Sequence, residues 1–209
     1  MFEIEYKGAN TIVIATKKSK LITDPKLSLV GLKDIEPKDM IALATEPRFM
    51  ADSAAATLQI EGPGEYEVGD FSIRGIRAQR HLDNEGFGST IYRIEVGEAR
   101  IVLLGNIDAK LSEEQLEEIG VVDMVIIPVG GAGYTLDATA AAQVVRKIDA
   151  KGVIPVHYAD DGLKYEVPQD TFEVFHAELG GEVEELDKLK IKSAAALPQV
   201  LTTYKLARS

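Results

Sequence analysis

Apolar and polar positions alternate with a period of two at the start of the chain. Phe2, Ile4 and Tyr6 are separated by charged residues and stop at Gly8-Ala9-Asn10, the signature of a half-buried strand ending in a turn. Residues 11–16 are apolar and β-branched. Leu21-Ile22-Thr23 follows a Lys-Ser-Lys break and stops at Asp24-Pro25. Three short strands with tight gaps predict an antiparallel meander. Residues 40–45 predict a buried strand, and the alanine-rich stretch 51–58 predicts a short helix. Gly62-Pro63-Gly64 reads as a turn, followed by strands at 65–68, 71–76, 90–96 and 99–104, with a glycine-bearing loop at 81–89.

After Gly105 the pattern changes to alternating helices and strands. Ser112 and Gln115 have the spacing of a capping box that opens a helix. Residues 124–129 form a continuous apolar run, expected of a strand covered on both faces. Asp137 is placed to cap a helix through Ile148, with Thr135 as a further capping candidate, and 152–156 is the next strand. A helix over 169–179 ends at Gly180-Gly181. Closing strands are predicted at 189–191 and 200–204. Strands first and βα units later, with no repeat and no linker, predict one α/β domain over 1–209: a sandwich of mixed sheets with helices outside.

Composition narrows the function. The chain has 209 residues, 45% of them apolar, which suffices for a sizeable core. Acidic residues outnumber basic ones 34 to 23, a net charge of −11. That field disfavours nucleic acid and anionic membrane as partners. No apolar run approaches the roughly 18 residues of a membrane helix. No basic segment precedes an apolar one at the start, so no signal peptide is expected and a cytoplasmic location is. Cysteine is absent, which removes disulfides, thiolate metal sites and cysteine nucleophiles.

Three histidines remain as candidate chemistry. His176 falls inside a predicted helix and reads as a helix residue. His157 ends the apolar strand Val153-Ile154-Pro155-Val156, and strand C-terminal ends are where α/β proteins place ligands. His81 lies in the loop after 71–76. The glycines of 130–133 lack the phosphate-loop ending and the dinucleotide spacing, and no Gly-x-Ser-x-Gly elbow exists.

The order of Leu21-Ile22-Thr23-Asp24-Pro25, Gly62-Pro63-Gly64-Glu65-Tyr66-Glu67, Leu104-Gly105-Asn106, Ile127 to Gly131 with Tyr134-Thr135, and Ile154-Pro155-Val156-His157-Tyr158 resembles the metallo-β-lactamase superfamily. The resemblance extends to its branch of ascorbate-6-phosphate-lactonase-like, zinc-dependent hydrolases. It implies a four-layer αβ/βα sandwich with a metal site along one edge between the sheets. The same alignment shows most metal ligands replaced. The family's His-x-His-x-Asp-His motif falls on Glu46, Arg48, Met50 and Ala51. Its bridging Asp falls on Asn106, and its mid-chain His on Arg80, or on His81 with a one-residue shift. His157 keeps the final His.

A catalytic zinc needs about three protein ligands and an open position, and arginine does not deprotonate to ligate. The resemblance with these losses implies a non-catalytic binding or structural member, a pseudoenzyme with no cofactor and no catalytic residues. Its vestigial cleft would comprise Glu46, Arg48, Arg80, His81, Asn106, Asp108 and His157. The alternative is a lactone, ester or phosphodiester hydrolase with one weakly bound zinc or manganese held by His157, Glu46 and Asp108 or Asp83. Arg48 is expected to take over the metal's electrostatic role beside Glu46. The basic groups point to a small anion or a protein partner, unless acidic neighbours such as Glu46 and Asp83 already satisfy them. Self-association, common in such relatives, makes a homo-oligomer an expectation.

Overall fold

A computed structural model describes residues 1–82 and 88–209. Its strands in chain order are β1 (Phe2–Gly8), β2 (Thr11–Ala15), β3 (Lys20–Thr23), β4 (Ile41–Leu43), β5 (Leu58–Ile60), β6 (Gly64–Val68), β7 (Phe71–Ala78), β8 (Ser89–Val96), β9 (Ala99–Leu103), β10 (Met124–Pro128), β11 (Gly152–Val156), β12 (Glu182–Leu186), β13 (Leu189–Ile191) and β14 (Thr202–Leu206). The helices are α1 (Glu113–Ile119), α2 (Ala138–Ile148) and α3 (Phe172–Leu179).

Two mixed sheets result. One runs β13-β1-β2-β3-β4-β5, and the other runs β12-β14-β11-β10-β9-β8-β7-β6. The predicted meander β1-β2-β3 is antiparallel. The second sheet is antiparallel from β6 to β9 and parallel from β9 through β10, β11 and β14 to β12. The switch falls where the sequence changes from hairpins to βα units.

The core lies between the sheets. Ile4, Ile12, Ile14, Leu21 and Leu43 of the first sheet join Ile73, Ile94, Ile101 and Ile126 of the second in one buried cluster. Every residue of β10 is buried, because the first sheet covers one face and α2 packs on the other. α2 turns Ala141, Ala142, Val145 and Ile148 inward. Asp137 caps it through Ala140 N at 2.8 Å, and the Ser112–Gln115 capping box forms at α1. Thr135 does not cap: its Oγ1 accepts from Gly131 N and holds the loop ahead of α2.

The outer face of the first sheet is covered differently. Val13, Ile22, Ala42, Ala44 and Met50 pack there with Ile35, Met40 and Ala56. The side chains that cover the strands come from irregular chain, Met50 just after the 3₁₀ turn Pro47–Phe49, rather than from α-helix. The helix expected over 51–58 is absent. Ser53 Oγ accepts from Ala55 N and Ser53 N donates to Ala51 O, so local side-chain bonding displaces the helical pattern. Among the described residues no helix is long and apolar enough to cross a membrane.

Candidate functional site

The segments that leave β3, β4, β7, β9 and β11 meet at one end of the sandwich. Asp24 follows β3 in a left-handed conformation, φ +44°. Its carboxylate accepts from Thr45 N and Thr45 Oγ1, each at 2.7 Å, and its carbonyl accepts from Thr11 Oγ1 at 2.6 Å. One residue thus ties the β1–β2 turn to the end of β4. The carboxyl is fully enclosed, and burial, with the nearby Glu46 charge, pushes its pKa up to about 7 despite the Thr45 bonds.

Glu46 precedes the 3₁₀ turn Pro47–Phe49 in an extended conformation. Proline at the first position fixes the turn and brings Arg48 back over Glu46. Arg48 Nε and Nη2 reach the two carboxylate oxygens at 2.9 and 3.3 Å, a fork that suits a planar guanidinium. Arg80 Nη1 stands 3.3 Å from the same carboxylate. Glu46 is 1% exposed while Arg48 is 42% exposed. Arg48 Nη1 also donates to the Tyr134 hydroxyl at 3.0 Å, and its guanidinium lies over Phe49, 4.7 Å from the ring centre. Burial raises the Glu46 pKa; Arg48, Arg80 and the Asn106 amide pull it back in part.

Asn106 Oδ1 accepts from Asn10 Nδ2 at 3.0 Å, both side chains buried. His157, at φ +54°, leaves β11 with its backbone N–H on Ala9 O at 2.9 Å. Its ring lies between those of Tyr134 and Tyr165, with centroids 6.3 and 4.7 Å away. His157 Nδ1 is 3.2 Å from Gln169 Oε1. Burial, with the Arg48 charge adding, lowers its pKa to about 4, so the imidazole is neutral at physiological pH. A pocket of about 90 Å³ opens here, lined among others by Asn10, Asp24, Arg48, Tyr134, His157 and Tyr165.

Of the residues singled out from the sequence, Glu46, Arg48, Arg80, Asn106 and His157 come together. Arg80 rather than His81 reaches Glu46. His81 lies half-buried beside it, its backbone N–H on Asn106 O at 3.0 Å. Asp108 does not join them. It accepts from Lys110 N at 2.7 Å and faces a separate groove with Gln79 and Ser112 beside α1. Asp83 lies outside the described residues. His176 stacks on Phe172 within α3, as a helix residue. Asn10, Asp24, Tyr134, Tyr165 and Gln169 were not anticipated as site residues. Most of their partners are distant in sequence; the local signals were the strand stops at Gly8-Ala9-Asn10 and Asp24-Pro25 and the segment Tyr134-Thr135.

Residues 3–157 match the family model of the beta-lactamase superfamily domain. The chain belongs to that family. The match does not single out the ascorbate-6-phosphate-lactonase-like branch. Among solved structures, the chain is similar to a candidate Zn-dependent hydrolase of the metallo-beta-lactamase superfamily from Thermotoga maritima, with 20% identity, 99% of each chain covered and a TM-score of 0.77. It is also similar to Igni18, a metallo hydrolase from Ignicoccus hospitalis, at 13% identity, 99% and 94% coverage and a TM-score of 0.60. A candidate metal-dependent hydrolase from Parabacteroides distasonis gives 13% identity, 99% and 94% coverage and a TM-score of 0.66. At these identities the likeness is one of fold. No curated protein matches by sequence.

The family's metal does not fit this donor set. Met50 is packed in the apolar cluster outside the first sheet, Ala51 offers no donor, and two guanidinium groups hold Glu46. Among the described residues no three His, Cys, Asp or Glu side chains are grouped to hold a metal ion.

Proposed function

We propose that this chain is a non-catalytic member of the metallo-β-lactamase fold, in which a guanidinium–carboxylate cluster stands in the metal's place and the cleft is kept for binding. One observation carries the reading: Glu46, at the position of the family's first histidine ligand, is held by Arg48 and approached by Arg80. A divalent cation there would meet two fixed positive charges at the same oxygens. The kept His157 shelf and the pocket beside it support binding as the retained role.

The test is elemental analysis of protein grown with added zinc and manganese and then dialysed, together with lactonase and phosphodiesterase assays on the same sample. The expected result is metal well below one ion per chain and no turnover above buffer. Stoichiometric zinc or manganese, or turnover lost on chelation, would return the protein to the single-metal hydrolases.

A further inference from the structure

One side-chain relay ends in the pocket and delivers an acceptor. Gln169 Nε2 donates to Val167 O at 3.0 Å. That fixes its Oε1 as the atom facing His157 Nδ1 at 3.2 Å. Nδ1 therefore carries the proton and Nε2 carries the lone pair. His157 lines the pocket, and an acceptor there has a cost unless something donates to it. Asn10 Oδ1 and Asn106 Nδ2 also lack hydrogen-bond partners among the described residues, but both are sealed from the pocket.

The charges around this acceptor nearly cancel. Arg48 and Arg80 face Glu46, and Asp24 is about half ionised at neutral pH. At the rim, Lys26 and Glu166 have opposite signs. Arg48 has committed donors to Glu46 and Tyr134, so the anion attraction expected from its charge is largely met within the chain. The same guanidinium repels a cation. The walls are apolar: Leu27, Val30, Phe49, Tyr134, Tyr165 and Val167. A space of about 90 Å³ admits roughly six to nine heavy atoms at about 10–15 Å³ for each water-sized group.

We propose that the pocket takes a small uncharged molecule with an apolar ring and a hydrogen-bond donor, a hydroxyl or amide N–H, received by His157 Nε2. This rests on the reading of the cleft as a metal-free binding site. An anion offers an acceptor to an acceptor, and a purely apolar ring leaves Nε2 unpaired.

The experiment holds the ring constant and varies charge and donor. Benzyl alcohol, benzamide, benzoate, benzylamine and toluene are titrated into the full chain at pH 8, followed by calorimetry and by the imidazole ¹⁵N resonances of His157. The expected result is that benzyl alcohol and benzamide bind at least 10-fold tighter than benzoate, benzylamine or toluene. Both donors should also shift the His157 Nε2 resonance. His157→Asn, a residue that tolerates the left-handed backbone, should erase the preference for benzyl alcohol over toluene while circular dichroism stays unchanged. Benzoate or benzylamine binding tightest, or no compound moving the His157 resonance, would overturn the proposal. Metal content measured on the same sample separates the two readings: a metal-free protein that prefers benzoate defeats the ligand class alone, whereas bound zinc defeats the reading beneath it.

Discussion

Asp24 and His157 bend the stability profile in opposite directions. Asp24 titrates at about 7 in the folded chain against an ordinary value of 3.8. The native state therefore holds a proton that the unfolded chain has lost, and stability falls as pH rises from about 4 to about 7. His157 is depressed from 6.5 to about 4. The unfolded chain binds the extra proton, so stability rises across that window. Asp24→Asn isolates the first effect. Relative to the variant, the wild type should lose about 2–3 kcal/mol between pH 5 and pH 8. Urea melts of both proteins at the two pH values check this, and parallel pH profiles would refute it. Arg48 sits between a buried pair and a surface pair: its partner is enclosed and it is not. Arg48→Ala should destabilise by about 1–3 kcal/mol, less than the full loss from a buried pair, because Arg80 stays beside Glu46. The loss should shrink when Glu46→Gln is added. Equal losses in both backgrounds would show that Arg48 acts through packing on Phe49 and Tyr134 instead.

The elements that were legible in the sequence are those whose burial repeats locally. β1 alternates because one face meets the second sheet, and β10 is apolar throughout because both its faces are covered. The Glu46–Arg48 pair was legible for the same reason: two residues apart across a proline turn, it is a local contact. Asn10 with Asn106, and Arg48 with Tyr134, are joined by loops from different strands, and no spacing along the chain announces such contacts. β12, Glu182–Leu186, carries three glutamates and shows no apolar period, because it is an edge strand with little to bury. The segment that follows β10 shows how an element positions a side chain across the site. A Cβ at Gly130 would run into the His157 carbonyl oxygen and the Gln169 side chain. Gly130→Ala should therefore destabilise by about 1–3 kcal/mol through overpacking. It should also perturb the His157 resonances more than those of α1, as two-dimensional NMR would reveal. A variant as stable as the wild type, with an unmoved His157, would mean that the backbone there yields freely.

At the scale of the whole molecule, the last residues complete what the first begin. β13 adds to the edge of β1 in the first sheet. β14 lies inside the second sheet, between β11 and β12. Ser209 N donates to Tyr6 O at 3.0 Å, and Lys188 bridges to Glu5 at 2.7 Å. The family match ends at His157, yet the sheet that carries His157 is not closed there. Removing β14 would open the edge of β11, where Val153 and Ile154 are fully buried, and would cut β12 from its single neighbour. An exposed apolar edge of that kind pairs with other chains. A chain ending at residue 201 should accordingly lose its cooperative thermal transition and partition into aggregates. An exposed change such as Val174→Ser should leave both properties as they are. Differential scanning calorimetry and the soluble fraction on expression distinguish the outcomes. A truncated chain that still unfolds in one sharp transition within about 4 °C of the full protein would show that β14 is an accessory to the sheet rather than one of its interior strands, since even about 1 kcal/mol moves the midpoint of a domain this size by about 2–4 °C.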